Sequence, residues 1–411
     1  MTLHYIWGGF FLLAFFTAIA NYLFLGETTI FKEIIDSTFD ASRMAVIDIA
    51  LPLIGIMSLW LGLMNIGEKA GAVRLLARLV GPFFQKLFPE IPRNHPVSGQ
   101  LLMNFSANML GLDNAATPLG LKAMQGLQEL NPDKERASNA QIMFLTLNTS
   151  GLTIIPISIL AQRAILGAAN PADVFIPVLI ATFVSTLTGM TYVAIRQRIS
   201  LLNRVVLGWI GTLTALISGA VWYLSTLPRA EMEATASLWS NGLLLCVILG
   251  FVAGGMYKKI NVFEAFVEGA KGGFETSVKI IPYLVAMLVG IAVFRASGAL
   301  GLLMDGIRWG VERISLNADF VEALPVAFMK PLSGSGARAM MIETMSQYGA
   351  DSFAGRLSCL FQGAADTTFY IIALYFGSVG IKKISYAVSA GLIADAAGVL
   401  AAIAVAYLFF H

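Results

Sequence analysis

The fold of this chain is decided by VIDIALPLIGIMSLWLGLMNIGEKAG (residues 46–71), because a similar pattern returns as TSVKIIPYLVAMLVGIAVFRASGALG (residues 276–301). The alignment matches Gly71 to Gly301. Each stretch is followed by an amphipathic stretch, an interrupted apolar segment and two apolar spans. The sequence therefore predicts one structural unit that occurs twice, and we call the two occurrences the first copy and the second copy.

The composition sets the class of protein. Hydrophobic residues make up 57% of the 411 residues, and charged residues make up 13%. Soluble proteins are about 45–50% apolar and about 25% charged. This difference excludes a soluble enzyme, a disordered chain and a secreted disulfide scaffold, and it predicts an all-α polytopic membrane protein.

The charged, cysteine and histidine residues exclude several kinds of ligand. The formal net charge of +2 gives no basic field of the kind that binds nucleic acid. Cys246 and Cys359 lie in separate apolar runs, and the three histidines, His4, His95 and His411, are peripheral. We therefore expect no metal site and no cofactor.

Nine apolar runs are long enough to cross a bilayer, which takes about 20 residues. They are residues 5–25, 46–66, 140–162, 172–195, 205–225, 238–257, 280–296, 357–378 and 384–410. The first run lacks a basic segment before it and is too long for a signal peptide, so we expect it to be retained.

Three further stretches differ from these runs. Residues 98–126 and 325–347 are interrupted by Pro, Gly and polar residues, which predicts two broken or re-entrant segments buried in protein. Residues 67–95 have the pattern of a basic amphipathic helix at the membrane surface.

Charges around the two copies predict opposite orientations. Residues 67–98 contain five basic and two acidic residues, whereas residues 298–324 contain two basic and four acidic residues. The positive-inside rule places the first stretch in the cytoplasm and the second outside. The matched spans also lie five crossings apart, an odd number. We therefore expect two inverted repeats, a cytoplasmic N-terminus and an external C-terminus, an arrangement found in secondary transporters.

The first part of the chain resembles a known family. Residues 1–200 are similar to the family of spore maturation protein A, most specifically in NFSANMLGLDNAATPLGLKAM (104–124) and FLTLNTSGLTIIP (144–156). Together with a second resemblance in the last part, it covers nearly the whole chain.

The last part resembles the family of spore maturation protein B. The similar stretches are FVEGAKGGFETSVKIIPYLVAMLVGI (266–291), MKPLSGSGAR (329–338) and QGAADTTFYIIALYFGSVGIKK (362–383). The sequence thus predicts an A-like half at 1–200, a joining transmembrane helix at 201–235 and a B-like half at 236–411.

Both resemblances place the chain in the wider group with the nucleoside-recognition or gate domain. That group includes concentrative nucleoside transporters and the membrane part of a ferrous iron transporter. The resemblance implies a transport-like fold in the bacterial inner membrane, but it implies no particular substrate.

The interrupted segment of the first copy contains candidate site residues. Thr117 is suited to cap a half-helix whose first residue is Pro118. Amides of Asn104, Asn108 and Asn114 supply donors and acceptors nearby. They either line a site or only satisfy the backbone of a broken helix.

The interrupted segment of the second copy repeats this pattern. Ser333 or Ser335 is suited to cap a half-helix that begins near Gly336. Lys330 and Arg338 add positive charge, which favours an anionic group. The alternative is that both cations pair with carboxylates of the protein or extend to the interface.

Two carboxylates fall in the middle of apolar runs. Asp366 is followed by Thr367 and Thr368, and Asp395 lies in the last run. An ionisable residue at this depth predicts a functional role, so both are candidates for ion coupling. The alternative is a structural ion pair with Lys330 or Arg338.

The sequence contains no P-loop, nucleophile elbow or HExxH motif, so no enzyme is expected. It predicts a secondary transporter or facilitator of a small polar solute, anionic or nucleoside-like. A non-transporting scaffold for envelope or spore-maturation machinery and a channel remain the alternatives. The expected partners are the bilayer, the solute and other copies of the chain. The predicted binding residues are Asn104, Asn108, Asn114, Thr117, Asn148, Thr149, Ser150, Lys330, Ser333, Ser335, Arg338, Gln362, Asp366, Thr367 and Thr368.

Overall fold

A computed structural model describes residues 2–92, 95–111, 113–313, 315 and 317–411. Within these ranges it describes the backbone alone of residues 2–4, 6, 113–115, 225, 229, 230, 233, 279, 280 and 283. Every regular element of the described residues is helical, which confirms the all-α prediction.

The helices fall into four groups along the chain. Two precede the first copy: α1 (Thr2–Ala20) and α2 (Ile30–Arg43). The first copy and its following span comprise α3 (Leu51–Ala70), α4 (Ala72–Leu87), α5 (Pro96–Met109), α6 (Asp113–Leu130), α7 (Asn139–Thr149), α8 (Ile157–Ile165) and α9 (Phe175–Gln197). Two joining helices are α10 (Arg204–Ser225) and α11 (Arg229–Tyr257). The second copy and its following span comprise α12 (Val262–Ala296), α13 (Ala299–Arg313), α14 (Leu324–Met329), α15 (Gly334–Tyr348), α16 (Phe353–Gly363), α17 (Thr368–Ser378) and α18 (Ala387–Phe410).

The two copies repeat the same order of elements. Each has a long helix, an amphipathic helix, a helical hairpin, a broken helix and a long final helix. The long helices α3 and α12 both end at a glycine with positive φ, Gly71 (92°) and Gly298 (82°). Gly301, which the sequence alignment matched to Gly71, lies inside α13 instead. That register was wrong by three residues, because apolar similarity does not show which glycine adopts the left-handed conformation that ends a helix.

The two copies run in opposite directions, as the contacts of α3 with α12 show. The amide Nδ2 of Asn65 donates to the carbonyl of Ala265 at 2.6 Å, whereas Ser58, earlier in α3, lies against Gly273. Lys69, at the other end, pairs with Glu268. Residue numbers therefore rise along α3 as they fall along α12.

The final helices α9 and α18 are also antiparallel. Ser185 Oγ donates to the carbonyl of Ala394 at 3.0 Å, and Gln197 Nε2 donates to Tyr386 Oη at 2.8 Å. Because α3 and α12, and likewise α9 and α18, are equivalent elements of the two copies, the repeats are inverted. This confirms the predicted inverted-repeat fold.

Ion pairs connect the copies at one end. Arg163 on α8 is fully buried, and its guanidinium contacts Asp173 at 2.8 Å and Asp351 at 2.9 Å. The same guanidinium donates to the carbonyl of Ala350 at 2.6 Å, and Arg356 Nε contacts Asp173 at 2.7 Å. A fully buried guanidinium is tolerated because carboxylates and carbonyls accept from it on every side.

The other end of the copies is joined more simply. Ala137 N donates to the carbonyl of Lys383 at 3.0 Å, and Lys383 N donates to the carbonyl of Glu135 at 2.9 Å. An exposed ion pair between Lys382 and Glu135 lies beside them. This end is held by backbone pairing and a solvated pair, in contrast with the buried cluster at Arg163.

Burial separates the interior from the lipid-facing exterior. Residues 140–149 of α7 are all buried, so this helix lies at the centre of the molecule. Large apolar side chains on the joining helices are exposed, among them Leu216, Trp222, Leu238 and Leu249. An exposed apolar surface of this kind suits lipid and is unusual for a soluble protein.

The number of spans differs from the prediction of nine. In the described ranges, seven helical segments are long and apolar enough to cross a membrane, and the pair Leu284–Ala296 and Ala299–Arg313, bent by 71°, makes an eighth. The predicted span 140–162 is not one helix, because the chain is non-helical from Ser150 to Pro156. Gly151, with φ of 31°, and Pro156 break it although the run remains apolar.

Candidate functional site

The two broken helices meet at their breaks. The chain leaves α7 at Thr149 and enters α8 at Ile157, and it leaves α16 at Gly363 and enters α17 at Thr368. Between these breaks, Asp366 N donates to the carbonyl of Thr149 at 2.6 Å. Since lipid offers no hydrogen bonds, backbone groups freed by a break need partners inside the protein. At this crossing, the N–H from the second copy and the carbonyl from the first copy are partners of each other.

Asp366 lies at this crossing, and its side chain is more exposed than expected for a residue in the middle of an apolar run. Its carboxylate accepts from the N–H of Thr367 at 2.7 Å, and its side chain is exposed. Phe369 N donates to the carbonyl of Pro331 at 3.0 Å, which fastens the start of α17 to the second hairpin. Asp366 is therefore exposed at the cavity and not buried in the protein interior, although the run around it is apolar.

The second hairpin has the cap that the sequence predicted. Ser333 Oγ accepts from Gly336 N at 3.0 Å and caps α15, which begins at Gly334. Ser335 lies in the first turn with an exposed side chain, within 3.3 Å of Ser333 Oγ. Of the two alternative caps that the sequence predicted, the structure shows Ser333 in this role and not Ser335.

The first hairpin differs from the prediction. Helix α6 begins at Asp113, so Thr117 does not cap it and Pro118 lies inside it. Gly111, with φ of 71°, turns the chain early enough for the helix to start five residues sooner. Asn104 Nδ2 donates to the carbonyl of Ala116 at 2.8 Å. The side chain of the predicted residue Asn114 lies outside the described part of the chain.

A buried amide on α7 connects three helices. Asn148 Oδ1 accepts from Asn108 Nδ2 at 2.8 Å, and Tyr375 Oη lies 3.4 Å from the same oxygen. Asn148 Nδ2 donates to the carbonyl of Phe144 at 2.9 Å. Asn148 therefore orients groups from α5 and α17 around the break in α7.

A cavity of about 340 Å³ lies against this crossing. Both copies contribute to its wall, from α3, α5, α6, α7 and α8 in the first copy and from α12, α15, α16 and α17 in the second. Seven predicted residues line it: Asn108, Thr117, Asn148, Lys330, Arg338, Gln362 and Asp366. The volume is in the range of about 300–1,000 Å³ that is usual for ligand pockets.

Other predicted residues lie outside the wall of this cavity. They are Asn104, Thr149, Ser150, Ser333, Ser335, Thr367 and Thr368. Most of them are buried and serve the backbone: Thr149 and Ser150 accept through their carbonyls, and Ser333 caps a helix. The structure thus brings together about half of the predicted set.

Asp395 belongs to a separate buried contact. Its side chain is 6% exposed, and its Oδ2 accepts from Thr368 Oγ1 at 2.7 Å. Asp395 does not line the cavity, although Thr368 begins the helix that follows Asp366. Asp395, which the sequence made a candidate for ion coupling, thus reaches the cavity only through Thr368 and the start of α17.

Sequence reasoning missed several residues of the wall. Thr153 lies in the break between α7 and α8, and Ser158 lies on α8. Thr276 lies on α12, and Tyr370 and Tyr375 lie on α17. Tyr375 stands four residues from Ile371, another wall residue, so the two share a helix face. That spacing was a usable signal, but it appears only once α17 is known to start at Thr368.

The charges of the cavity are unequal. Lys330, a buried residue, and Arg338 provide two positive charges, and Asp366 provides one negative charge. These are the charged members of the described wall. In the described residues no group of three His, Cys, Asp or Glu side chains is placed to hold a metal ion.

Comparison with known proteins agrees with this geometry. The family described as Gate, nucleoside recognition, matches residues 50–166 and 277–382, which are the two structural copies from α3 to α8 and from α12 to α17. The chain belongs to the Gate family. This confirms the family resemblance found in the sequence.

Two curated relatives each match part of this Gate protein. Spore maturation protein B of Bacillus subtilis (strain 168) is 44% identical over 171 residues, which are 42% of this chain and 94% of that relative. Spore maturation protein A of the same organism is 40% identical over 154 residues, 38% of this chain and 78% of that relative. No solved structure is significantly similar. The chain is thus a multi-pass membrane protein of the Gate family.

Proposed function

We propose that this Gate protein is a secondary transporter or facilitator of a small polar solute, anionic or nucleoside-like. The observation that supports the proposal is the polar cavity where the broken helices of two inverted copies meet. Transporters built from inverted repeats place their sites at the repeat interface, beside discontinuous helices. Rocking of one copy against the other would expose such a site to each side in turn.

The proposal includes an orientation in the membrane. With five basic residues against two acidic ones, residues 67–98 favour the cytoplasm, and the reversed excess at 298–324 favours the outside. The protein would then lie in the bacterial inner membrane with its N-terminus in the cytoplasm. The antiparallel packing of α3 and α12 supports opposite orientations of the two copies.

Reconstitution into liposomes tests the proposal. Purified protein is incorporated into sealed vesicles, and uptake is measured for labelled uridine, a small carboxylate and an amino acid, with protein-free vesicles as the blank. A transporter gives saturable uptake of at least one solute. The matched variant Asp366→Asn, with the same shape but no charge at the crossing, lowers that uptake at least tenfold.

The two alternatives give different results in the same vesicles. A channel gives flux that rises linearly with solute concentration and lacks saturation. A non-transporting scaffold gives no flux of any solute. The names of the two relatives, spore maturation proteins A and B, are compatible with this alternative. Either result overturns the proposal.

A further inference from the structure

The cavity has two chemically different sides. Lys330 and Arg338 lie at the second hairpin, on either side of the start of α15, and both are wall residues. Gln362 and Asp366 come from the break between α16 and α17, and they are also wall residues. The two positive charges of the wall thus lie on the hairpin, whereas its negative charge lies at the break between α16 and α17.

The hairpin side is suited to an anionic group. Lys330 is 8% exposed, so its charge acts in a poorly hydrated environment where electrostatic interactions are stronger than in water. The N-terminus of α15 adds its partial positive charge between Lys330 and Arg338. Guanidinium and ammonium groups both form charge-assisted hydrogen bonds with carboxylates.

The broken-helix side needs a donor. Gln362 is 6% exposed, and its Oε1 accepts no hydrogen bond from the described residues. A buried acceptor without a donor is costly, and rotation of this amide towards the cavity would let a ligand supply the donor. Asn148 Oδ1, in contrast, already accepts from Asn108.

Asp366 strengthens this side. It stands four residues after Gln362 across the break, and its exposed carboxylate adds a negative charge to the same part of the wall. The Thr367 N–H contacts one of its oxygens at 2.7 Å, which holds the carboxylate in position. A cationic donor, such as an ammonium group, satisfies Gln362 Oε1 and Asp366 together.

We propose that the cavity binds a small zwitterion of the amino-acid type, with its carboxylate towards Lys330 and Arg338 and its ammonium towards Gln362 and Asp366. This inference rests on the proposed function and names its substrate class. The cavity holds about 340 Å³, or roughly ten waters at about 30 Å³ each, so the solute is small. A neutral nucleoside would place no charge against either side.

Calorimetric titration of the detergent-solubilised protein tests the substrate class with three matched probes. L-Alanine has both charged groups, propionate lacks the ammonium, and ethylamine lacks the carboxylate; uridine is the neutral nucleoside probe. Alanine is expected to bind saturably, and each half-molecule is expected to bind at least tenfold more weakly. Equal binding of alanine and propionate, or saturable binding of uridine without alanine, overturns the inference.

Variants separate the two sides of the cavity. Gln362→Leu is expected to weaken alanine at least tenfold and to leave propionate unchanged, whereas Arg338→Gln weakens both. Ser346→Ala, exposed on the same helix as Arg338 and outside the wall, is the control and leaves alanine binding unchanged. Melting temperatures without ligand identify any variant that fails to fold. Loss of propionate binding in Gln362→Leu contradicts the assignment of sides.

The outcomes also distinguish this inference from the proposed function. Saturable uptake of uridine by vesicles in which alanine neither binds nor crosses refutes the zwitterion and retains transport. Saturable binding of alanine without uptake of any solute retains the zwitterion site and refutes transport.

Discussion

A single methyl group tests how closely the two copies meet. Gly273 of α12 lies against α3, and a Cβ at this position would stand 2.6 Å from both the carbonyl oxygen of Met57 and the Cα of Ser58. These are backbone atoms, which cannot move away as a flexible side chain can. The neighbouring Gly272 has no heavy atom within 4 Å of its Cβ position. Gly273→Ala and Gly272→Ala are therefore a matched pair on one helix.

The pair isolates the steric cost. Both substitutions gain the same helix propensity, about 1 kcal/mol for Gly to Ala. Overpacking adds a cost of about 1–3 kcal/mol to Gly273→Ala alone. We expect Gly272→Ala to melt at or above the parent temperature and Gly273→Ala to be less stable than Gly272→Ala by about 1–3 kcal/mol.

Unfolding in detergent, followed by intrinsic fluorescence, measures this difference. Equal stability of the two variants would refute the backbone contact between α3 and α12, and with it the antiparallel packing from which the inverted repeat follows. A loss in both variants would place the cost in the helix itself and not in the contact.

Three further predictions follow from the same structure. Asp366→Asn should fold as the parent does, because its side chain is exposed, yet lose at least tenfold of vesicle uptake; a fall in melting temperature with normal uptake by the folded fraction contradicts this. Arg163→Met leaves two carboxylates without their buried partner and should cost about 3–5 kcal/mol in the same unfolding assay, whereas Lys32→Met, which removes an exposed pair, should have no measurable effect; equal effects refute the account of the cluster. Accessibility tags near residues 80 and 315 should report opposite sides of the membrane, and tags on one side exclude the inverted repeat.

The fold class could be predicted from the sequence because a membrane-spanning segment is defined mainly by its hydrophobicity. Local patterns also predicted the internal repeat, the two interrupted hairpins and the Ser333 cap. Pro, Gly and capping residues affect the backbone at their own positions, so their effects can be predicted from the sequence. The helix breaks at residues 150–156 and 364–367 did not follow. Both lie in apolar runs, and hydrophobicity does not show whether such a run is helical throughout.

The site could be predicted only in part, because the sequence does not show where the helices of the apolar runs break. Asn108, Asn148, Gln362 and Asp366 were identifiable because polar residues in apolar runs are rare. Whether each one lines the cavity depends on which helix face it occupies, and that face is fixed only by the breaks. Thr276, polar but inconspicuous on a long helix, is a wall residue because α12 packs along α3 and lines the cavity beside it.

Access to Ser158 tests the central claim most directly. Ser158 lines the cavity, and Ser158→Cys changes one atom; Cys246 is replaced by serine, whereas Cys359 is fully buried and stays. A thiol reagent that cannot cross membranes is applied to sealed vesicles of known orientation from the outside or from the lumen. The account predicts labelling of Ser158→Cys from either side, slowed by a transported solute. Labelling from neither side, or from one side under every condition, would contradict a cavity that opens alternately to the two faces of the membrane.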